Sequence, residues 1–131
     1  MKRSLPAWSA LGLVSAFTVT VGVPGAALAH PDAAPKIVGN AKSGKPVFQT
    51  TCGVCHRLKA AGSVGNIGPD LNKVSLSEVV IIKAITNGGA TVMSKVQAAK
   101  YTTQMTAYRN ALTTARIQDI AAFVYTSTHP K

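Results

Sequence analysis

The chain has 131 residues, 47% of them hydrophobic and only 5% aromatic, which suits one small globular domain rather than a disordered chain. Fourteen basic residues against four acidic ones give a net charge of +10, so acidic partners are favoured. The lysines are scattered rather than gathered in a basic arm, and this distribution argues against nucleic acid as the partner.

The N-terminus predicts a secretory signal peptide at residues 1–29. Two basic residues precede an uncharged, mostly apolar run, and Ala27 and Ala29 provide the small side chains that a signal peptidase requires. An uncleaved membrane anchor is the alternative, but prolines and glycines interrupt the run. We therefore expect export to the periplasm and cleavage after Ala29. The processed chain would keep twelve basic and four acidic residues, a net charge of about +8.

Residues 30–39 are rich in Pro, Ala and Gly and lack apolar periodicity, so we interpret them as a flexible lead-in. The domain then covers residues 40–131. No part of it shows sustained alternation or an internal repeat, and the prediction is a small, loop-rich, all-α fold. Such a domain has a thin core, and we expect something other than side chains to fill its centre.

The first predicted helix precedes the two cysteines of the chain. Val47 and Phe48 are expected to face inward. Pro46 would fit badly in a helix interior, because proline has no backbone donor. A cap at Ser43 would place Pro46 in the first turn, where its cost is small.

Three glycines and a proline in residues 58–74 predict an ordered loop rather than a pair of strands. The next helix is predicted from the dense apolar run at residues 79–85. Ser75, followed three residues later by Glu78, is expected to form a capping box, and one of the two following glycines ends the helix.

Residues 90–104 are mainly polar and predict a loop, with a short helix over residues 94–100 as the alternative. The last helix is expected to begin after Thr113 as its N-cap. Its apolar face has helical spacing and consists of Ile117, Ile120, Ala121 and Val124.

The motif with the clearest chemistry is "TCGVCH" at residues 51–56. Cys52 and Cys55 on one helical turn can both face a planar macrocycle and add to its two vinyl groups as thioethers, while His56 supplies an axial ligand to the iron. This spacing is typical of covalent c-type haem attachment and predicts one haem c, bound through Cys52 and Cys55.

Two other functions use similar residues. A redox-active CxxC motif is expected in a βαβ context and does not explain the histidine that follows directly. A zinc site needs four ligands, and the remaining histidines, His30 and His129, are both near the ends of the processed chain.

The sixth ligand of the iron decides between electron transfer and ligand binding. A thioether would favour the ferrous state and block external ligands. Met105 lies in a predicted loop eight residues before the Thr113 cap, without the apolar stripe of an ordinary core residue, and is our candidate. Met93 follows a helix end closely, where a hydrophobic contact is the simpler explanation.

From residue 40 almost to the end, the chain resembles the class I c-type cytochromes. "GKPVFQTTCGVCH" is similar to the first helix and haem motif of that family. The resemblance places Gly44 and Phe48 where a glycine and an aromatic residue meet the last helix. Ile120 and Phe123 occupy the positions that pack against them.

Two further blocks carry the resemblance. "GPDL" at residues 68–71 is similar to the loop whose proline carbonyl accepts a hydrogen bond from the proximal imidazole, which implies that role for Pro69 toward His56. "QMTAYRNALTTARIQDIAAFVY" is similar to the ligand loop and final helix, with Met105 in the axial position. The family usually has proline after this methionine, whereas this chain has Thr106.

The resemblance implies a small cytochrome c-like fold of three to five helices around the covalently bound haem. It also implies a soluble, periplasmic, monomeric carrier of single electrons rather than an enzyme. Acidic redox proteins or membrane respiratory complexes are its expected partners. The alternative is a haem-bearing electron-transfer subunit of a periplasmic dehydrogenase or sulfur-oxidising complex. A gas-binding cytochrome of the helix-bundle type would carry its CxxCH motif near the C-terminus, unlike this chain.

Overall fold

The computed structural model describes residues 36–131, and the predicted signal peptide lies outside them. Four α-helices, three short 3-10 helices and one pair of very short strands make up this part of the chain. In order they are α1 (Ala41–Thr51), β1 (Arg57–Leu58), a 3-10 helix (Lys59–Ala61), β2 (Ser63–Val64), a 3-10 helix (Leu71–Lys73), α2 (Glu78–Asn87), a 3-10 helix (Gly89–Val92), α3 (Lys95–Ala98) and α4 (Thr114–Thr128).

Helix α1 begins earlier than the sequence predicted. Asn40 is its N-cap, and the side-chain oxygen of Asn40 accepts hydrogen bonds from the amides of Lys42 and Ser43 at 3.0 and 3.2 Å. The alternative cap considered at Ser43 is therefore not used, and Pro46 lies inside the helix. Pro46 and Lys42 are both exposed, so water can satisfy the Lys42 carbonyl that proline leaves without a donor.

Helices α1 and α4 cross closely and form the main packing contact of the domain. A Cβ at Gly44 would overlap the backbone carbonyl of Asp119, so the two backbones can meet only because residue 44 has no side chain. One turn later, the rings of Phe48 and Phe123 pack edge to face with centroids 5.6 Å apart. Ile120 is 1% exposed beside them. The predicted contact between the first and last helices is confirmed.

Helix α2 begins at Glu78, with Ser77 as its N-cap. The hydroxyl of Ser77 accepts the amide of Val80 at 3.4 Å. The predicted capping box from Ser75 is wrong, because the helix starts two residues later and Glu78 is its first residue rather than its third. The hydroxyl of Ser75 instead lies 2.7 Å from Nε2 of His129.

Helix α4 matches its prediction at the start and along its buried face. Thr113 is the N-cap, and its hydroxyl accepts the amide of Arg116 at 3.3 Å. The predicted apolar stripe is buried in the core, at Ile117, Ile120, Ala121 and Val124. In residues 36–131, no helix combines the length and apolar character that crossing a bilayer would require.

The segment after the cysteine motif contains a small antiparallel sheet, in which Arg57 pairs with Val64 and Leu58 with Ser63. The sequence predicted a loop without paired strands, and that detail is wrong. Strands of two residues are too short to show alternation. Leu58 is 1% exposed and anchors this segment in the core.

Two carboxylates hold the chain just before α1. The backbone amide of Val38 donates to both carboxylate oxygens of Glu78 at 3.0 Å. Glu78 is only 8% exposed. The amide of Asn40 donates to Oδ1 of Asp119 at 2.7 Å. Residues 38–40 are thus attached to both α2 and α4, although the sequence assigned residues 30–39 to a lead-in.

Candidate functional site

The cysteine motif continues the last turn of α1. The amide of Cys52 donates to the Phe48 carbonyl at 2.8 Å, and Cys52 caps the helix. The Cys52 carbonyl then accepts the amides of Cys55 and His56 at 3.1 and 2.9 Å. These bonds place both thiols and the imidazole on one compact turn, as their spacing in the sequence predicted.

The two thiols are free and differ in their surroundings. Cys52 is buried and belongs to the hydrophobic core, whereas Cys55 is half-buried. Burial, together with the nearby Cys55, raises the pKa of the Cys52 thiol to about 11. At neutral pH Cys52 is therefore a protonated thiol.

His56 is oriented by the backbone of the following loop. Its Nδ1 lies 3.0 Å from the carbonyl oxygen of Pro69. A carbonyl only accepts hydrogen bonds, so Nδ1 must carry the proton and Nε2 keeps its lone pair. This is the state in which an imidazole binds a metal through Nε2. The hydrogen bond at Nδ1 fixes the orientation of the ring. The structure thus brings together the residues that the resemblance paired.

Gly68 lies directly against the imidazole. A Cβ at this position would be 2.6 Å from Cε1 and 2.9 Å from Nδ1 of His56, closer than carbon atoms pack. The amide of Gly68 also donates to the Cys55 carbonyl at 2.9 Å. The role of this glycine is not visible in the sequence, because its contact with the ring depends on how the loop folds back.

Short polar contacts fasten that loop. Asp70 caps the 3-10 helix that follows, and Oδ1 of Asn72 accepts the amide of Lys59 at 2.9 Å. The side-chain amide of Asn72 donates to Asp70 and lowers the pKa of that carboxyl below its ordinary value. Ser63 adds a bond from its hydroxyl to the His56 carbonyl at 2.9 Å. These side chains hold in place the loop that carries Pro69.

Met105 lies in a segment without regular structure, as predicted. It is half-buried and packs against the buried hydrophobic core. His56 and Met105 are close to one another in space. Met93 is also half-buried, but it is not among the described residues that pack against this core.

Tyr108 lies near the cysteine pair. Burial raises the pKa of its hydroxyl, and the neighbouring Cys52 and Cys55 raise it further. Tyr108 and Met105 both pack against the hydrophobic core that includes Cys52.

The described residues do not favour a zinc site. Within residues 36–131, no three His, Cys, Asp or Glu side chains converge as ligands for a metal ion. His129 is bonded to Ser75 and stacks on Tyr125 with ring centroids 4.3 Å apart. His30, the other ligand considered, lies outside the described residues.

A covalently attached haem fits these residues. Two free thiols lie on one turn, the neighbouring imidazole has an available Nε2, and a glycine leaves room beside that ring. Cys52 and Cys55 would form the two thioethers, and the core side chains around Met105 would cover the opposite side.

Comparison with known proteins agrees with this site. The model of the family described as Cytochrome c matches residues 41–128. Among solved structures, the chain is similar to the c-type cytochrome SorU from Sinorhizobium meliloti. The two share 25% sequence identity with a TM-score of 0.51, over 67% of this chain and 90% of SorU. No curated protein gives a significant match.

The matched region contains all four helices, both cysteines and the loop that binds the imidazole. Its all-α architecture agrees with the predicted fold class. Family membership also implies haem-based electron transfer and one haem c on the two cysteines. The chain therefore belongs to the cytochrome c family, as a class I c-type cytochrome that carries its haem on Cys52 and Cys55.

Proposed function

We propose that this cytochrome is a periplasmic carrier of single electrons whose iron is held by Nε2 of His56 and Sδ of Met105. The observation that carries the proposal is the 3.0 Å contact between Nδ1 of His56 and the Pro69 carbonyl, made while Met105 packs close to His56. When bound, the haem supplies an iron that alternates between the ferrous and ferric states.

His56 is the proximal ligand in this proposal. The Pro69 carbonyl keeps the proton on Nδ1 in both iron states, so Nε2 stays a ligand throughout. The same bond increases the electron density that the imidazole donates. Gly68 holds the ring between the loop and the motif, and the ring needs no reorientation when the electron arrives or leaves.

Met105 is the distal ligand. Its thioether is neutral and favours the ferrous state, which raises the reduction potential. Its half-buried position against the core keeps water from that side, and its occupation of the sixth position would exclude gases and substrates. Two retained ligands and little rearrangement are the properties of a carrier rather than of a catalyst.

The carrier role is supported by charge and by the N-terminal sequence. After removal of residues 1–29 the polypeptide has a net charge of about +8, which favours encounters with acidic redox proteins or acidic sites on respiratory complexes. The features of a signal peptide support export to the periplasm.

Spectra of the ferric protein and of two variants test the ligand assignment. We expect the wild type to show the weak far-red band of a sulfur-to-iron bond and the ferrous form to bind carbon monoxide slowly. Met105→Ala should abolish the band and speed carbon monoxide binding. Met93→Ala, the matched control, should change neither. Loss of the band only in Met93→Ala would refute the assignment of Met105.

Isolation from the native host under gentle conditions tests the carrier role. A free carrier should elute at the size of a monomer. Stable co-purification with a larger redox chain would contradict the proposal and identify this protein as a subunit of an oxidoreductase complex.

A further inference from the structure

The end of α2 and the segment around Met105 run side by side. The amide of Gly89 donates to the Met105 carbonyl at 3.1 Å, and the amide of Tyr108 donates to the Ile85 carbonyl at 2.9 Å. Residue 85 therefore faces residue 108, and residue 89 faces residue 105. The two segments run in opposite directions, and residues 90–104 leave the pairing at residue 89 and return to it at residue 105.

Two adjacent glycines form the turn against which Met105 rests, and both are buried. Gly88 has φ +96°, a region that residues with a side chain rarely adopt, and a Cβ there would be 2.9 Å from the Met105 carbonyl oxygen. A Cβ at Gly89 would be 3.1 Å from Cβ and 3.9 Å from Sδ of Met105. A side chain at either position would displace the methionine.

Residues 90–104 satisfy many of their polar groups locally. Helix α3 has its own capping box between Ser94 and Gln97, and the Gln104 amide donates to the carbonyls of Ala98 and Tyr101 at 3.0 and 3.2 Å. Val96 is 74% exposed. This segment, which we term the excursion, folds on itself, and none of the bonds just described reaches Met105.

We propose that Gly88 and Gly89 are positioning residues for the Met105 sulfur. The α2 turn, rather than the excursion, then sets the strength of the sulfur-to-iron bond. This inference rests on the proposed function, in which Met105 is the axial ligand. A thioether is a weak ligand, and the methionine side chain has three rotatable bonds. The backbone carbonyl and the Cβ of Met105 must therefore be held in place before its sulfur can be. The turn binds the Met105 carbonyl through the Gly89 amide, and Gly89 leaves room for the Met105 Cβ.

The test compares holoprotein variants in the far-red absorption of the ferric form and in carbon monoxide binding by the ferrous form. Gly89→Ala keeps an ordinary backbone conformation but requires Met105 to move by a few tenths of an ångström. We expect a weakened or shifted far-red band and carbon monoxide binding at a rate between those of the wild type and Met105→Ala. Gly88→Ala, which also meets the Met105 carbonyl, should have the larger effect.

Two controls separate positioning from general destabilisation. Gly62 has φ +70° and nothing within 4 Å of an added Cβ, so Gly62→Ala introduces the strain of a positive φ without touching Met105. Ser94→Ala removes the cap of α3 within the excursion. Both variants should keep the wild-type band and the wild-type rate of carbon monoxide binding. A change in Ser94→Ala as large as that in Gly89→Ala would overturn the inference.

The outcome also distinguishes this inference from the function on which it rests. If Met105→Ala keeps the far-red band, the ligand assignment itself is wrong, and positioning of the sulfur fails with it. If Met105→Ala loses the band while Gly88→Ala and Gly89→Ala keep wild-type spectra and rates, the ligand assignment stands and the positioning role is refuted. Haem content and helical circular dichroism show which variants are folded. If Gly88→Ala does not fold, the positioning role is tested by Gly89→Ala alone.

Discussion

At the scale of single residues, the site depends on a backbone carbonyl that no mutation removes directly. The Pro69 oxygen selects one tautomer of His56, and Gly68 is the residue that lets this oxygen approach the ring. The side chain of Asn72, bonded to Asp70 and Lys59, keeps the same loop against the motif. A glycine without chemistry of its own therefore lets the loop lie against the imidazole.

Gly68→Ala tests this close approach. The added Cβ would lie 2.6 Å from Cε1 of His56, so either the ring or the loop must move. Overpacking of this kind costs about 1–3 kcal/mol, and we expect a loss of that size in the unfolding free energy of the holoprotein, measured with guanidinium. The reduction potential should also change, because the bond to the Pro69 carbonyl is disturbed.

The matched control for this substitution is Asn66→Ala, two residues earlier on the same loop and exposed. Its unfolding free energy should stay within about 0.5 kcal/mol of the wild type. Equal stability and equal potential in Gly68→Ala and Asn66→Ala would show that the glycine contact has no consequence for the imidazole.

The haem-attachment motif was predictable from its spacing and Gly44 from the family resemblance, whereas the glycines that make room at the site were not. The spacing of Cys52, Cys55 and His56 is local, so one helical turn is enough to predict their arrangement. The requirement for glycine at position 68 or 89 arises from contact with a distant segment. Spacing along the chain carries no information about such a contact.

At the scale of elements, the crossing of α1 and α4 supports the haem motif, because Cys52 is the cap of α1. Gly44 sets the distance between the two helices and Phe48 fills the space beside it. The backbone carbonyl of Phe48 also accepts a hydrogen bond from the amide of Cys52. Movement of α1 relative to α4 would therefore move the first thioether position.

Phe48→Ala tests the contribution of this crossing. Phe48 is 1% exposed and packs on Phe123, so its removal leaves a cavity and loses the aromatic contact. We expect a loss of about 3–5 kcal/mol in the unfolding free energy of the holoprotein, measured with guanidinium. Val79→Ala, at a position 75% exposed on α2, should cost much less and serves as the control. Similar losses in the two variants would contradict a central role for the crossing.

The helices were predictable, but two of their starts were not. The apolar stripe of α4 is buried and its helical spacing is visible in the sequence, and the dense apolar run of α2 places Ile81 and Ile85 in the core. Asn40 and Ser77 are the N-caps because the chain turns there to reach neighbouring elements. Several nearby polar residues have side chains that could also have served as N-caps. Tertiary contacts selected among these caps.

At the scale of the whole molecule, an excess of positive charge is the property that a partner meets first. Twelve basic residues against four acidic ones remain after residues 1–29. Arg57 and Lys59 are exposed directly after the haem motif, on the segment that includes β1. An acidic partner would be attracted over roughly 10 Å at an ionic strength of 0.1 M, and over roughly 3 Å at 1 M.

We therefore expect electron exchange with an acidic redox partner to slow steeply as salt is added. Stopped-flow rate constants over 0.01 to 1 M salt measure this, and a decrease of about tenfold or more fits electrostatic steering. Exchange with an uncharged small oxidant is the control and should vary little. Lys59→Glu and Lys131→Glu alter the net charge equally. A slower exchange in Lys59→Glu than in Lys131→Glu would place the docking surface on the side that carries Lys59. A rate constant independent of salt would rule out steering.

The hydrogen bonds made by the amides of Val38 and Asn40 limit how far the N-terminus can be shortened in a recombinant version. A polypeptide starting at Asn40 would lose the Val38 amide and leave the buried Glu78 carboxylate without that donor. It would also place an ammonium group where the Asn40 amide now meets Asp119. Starting at Lys36 or earlier retains both attachments, and affinity tags or surface linkers are best joined ahead of that residue.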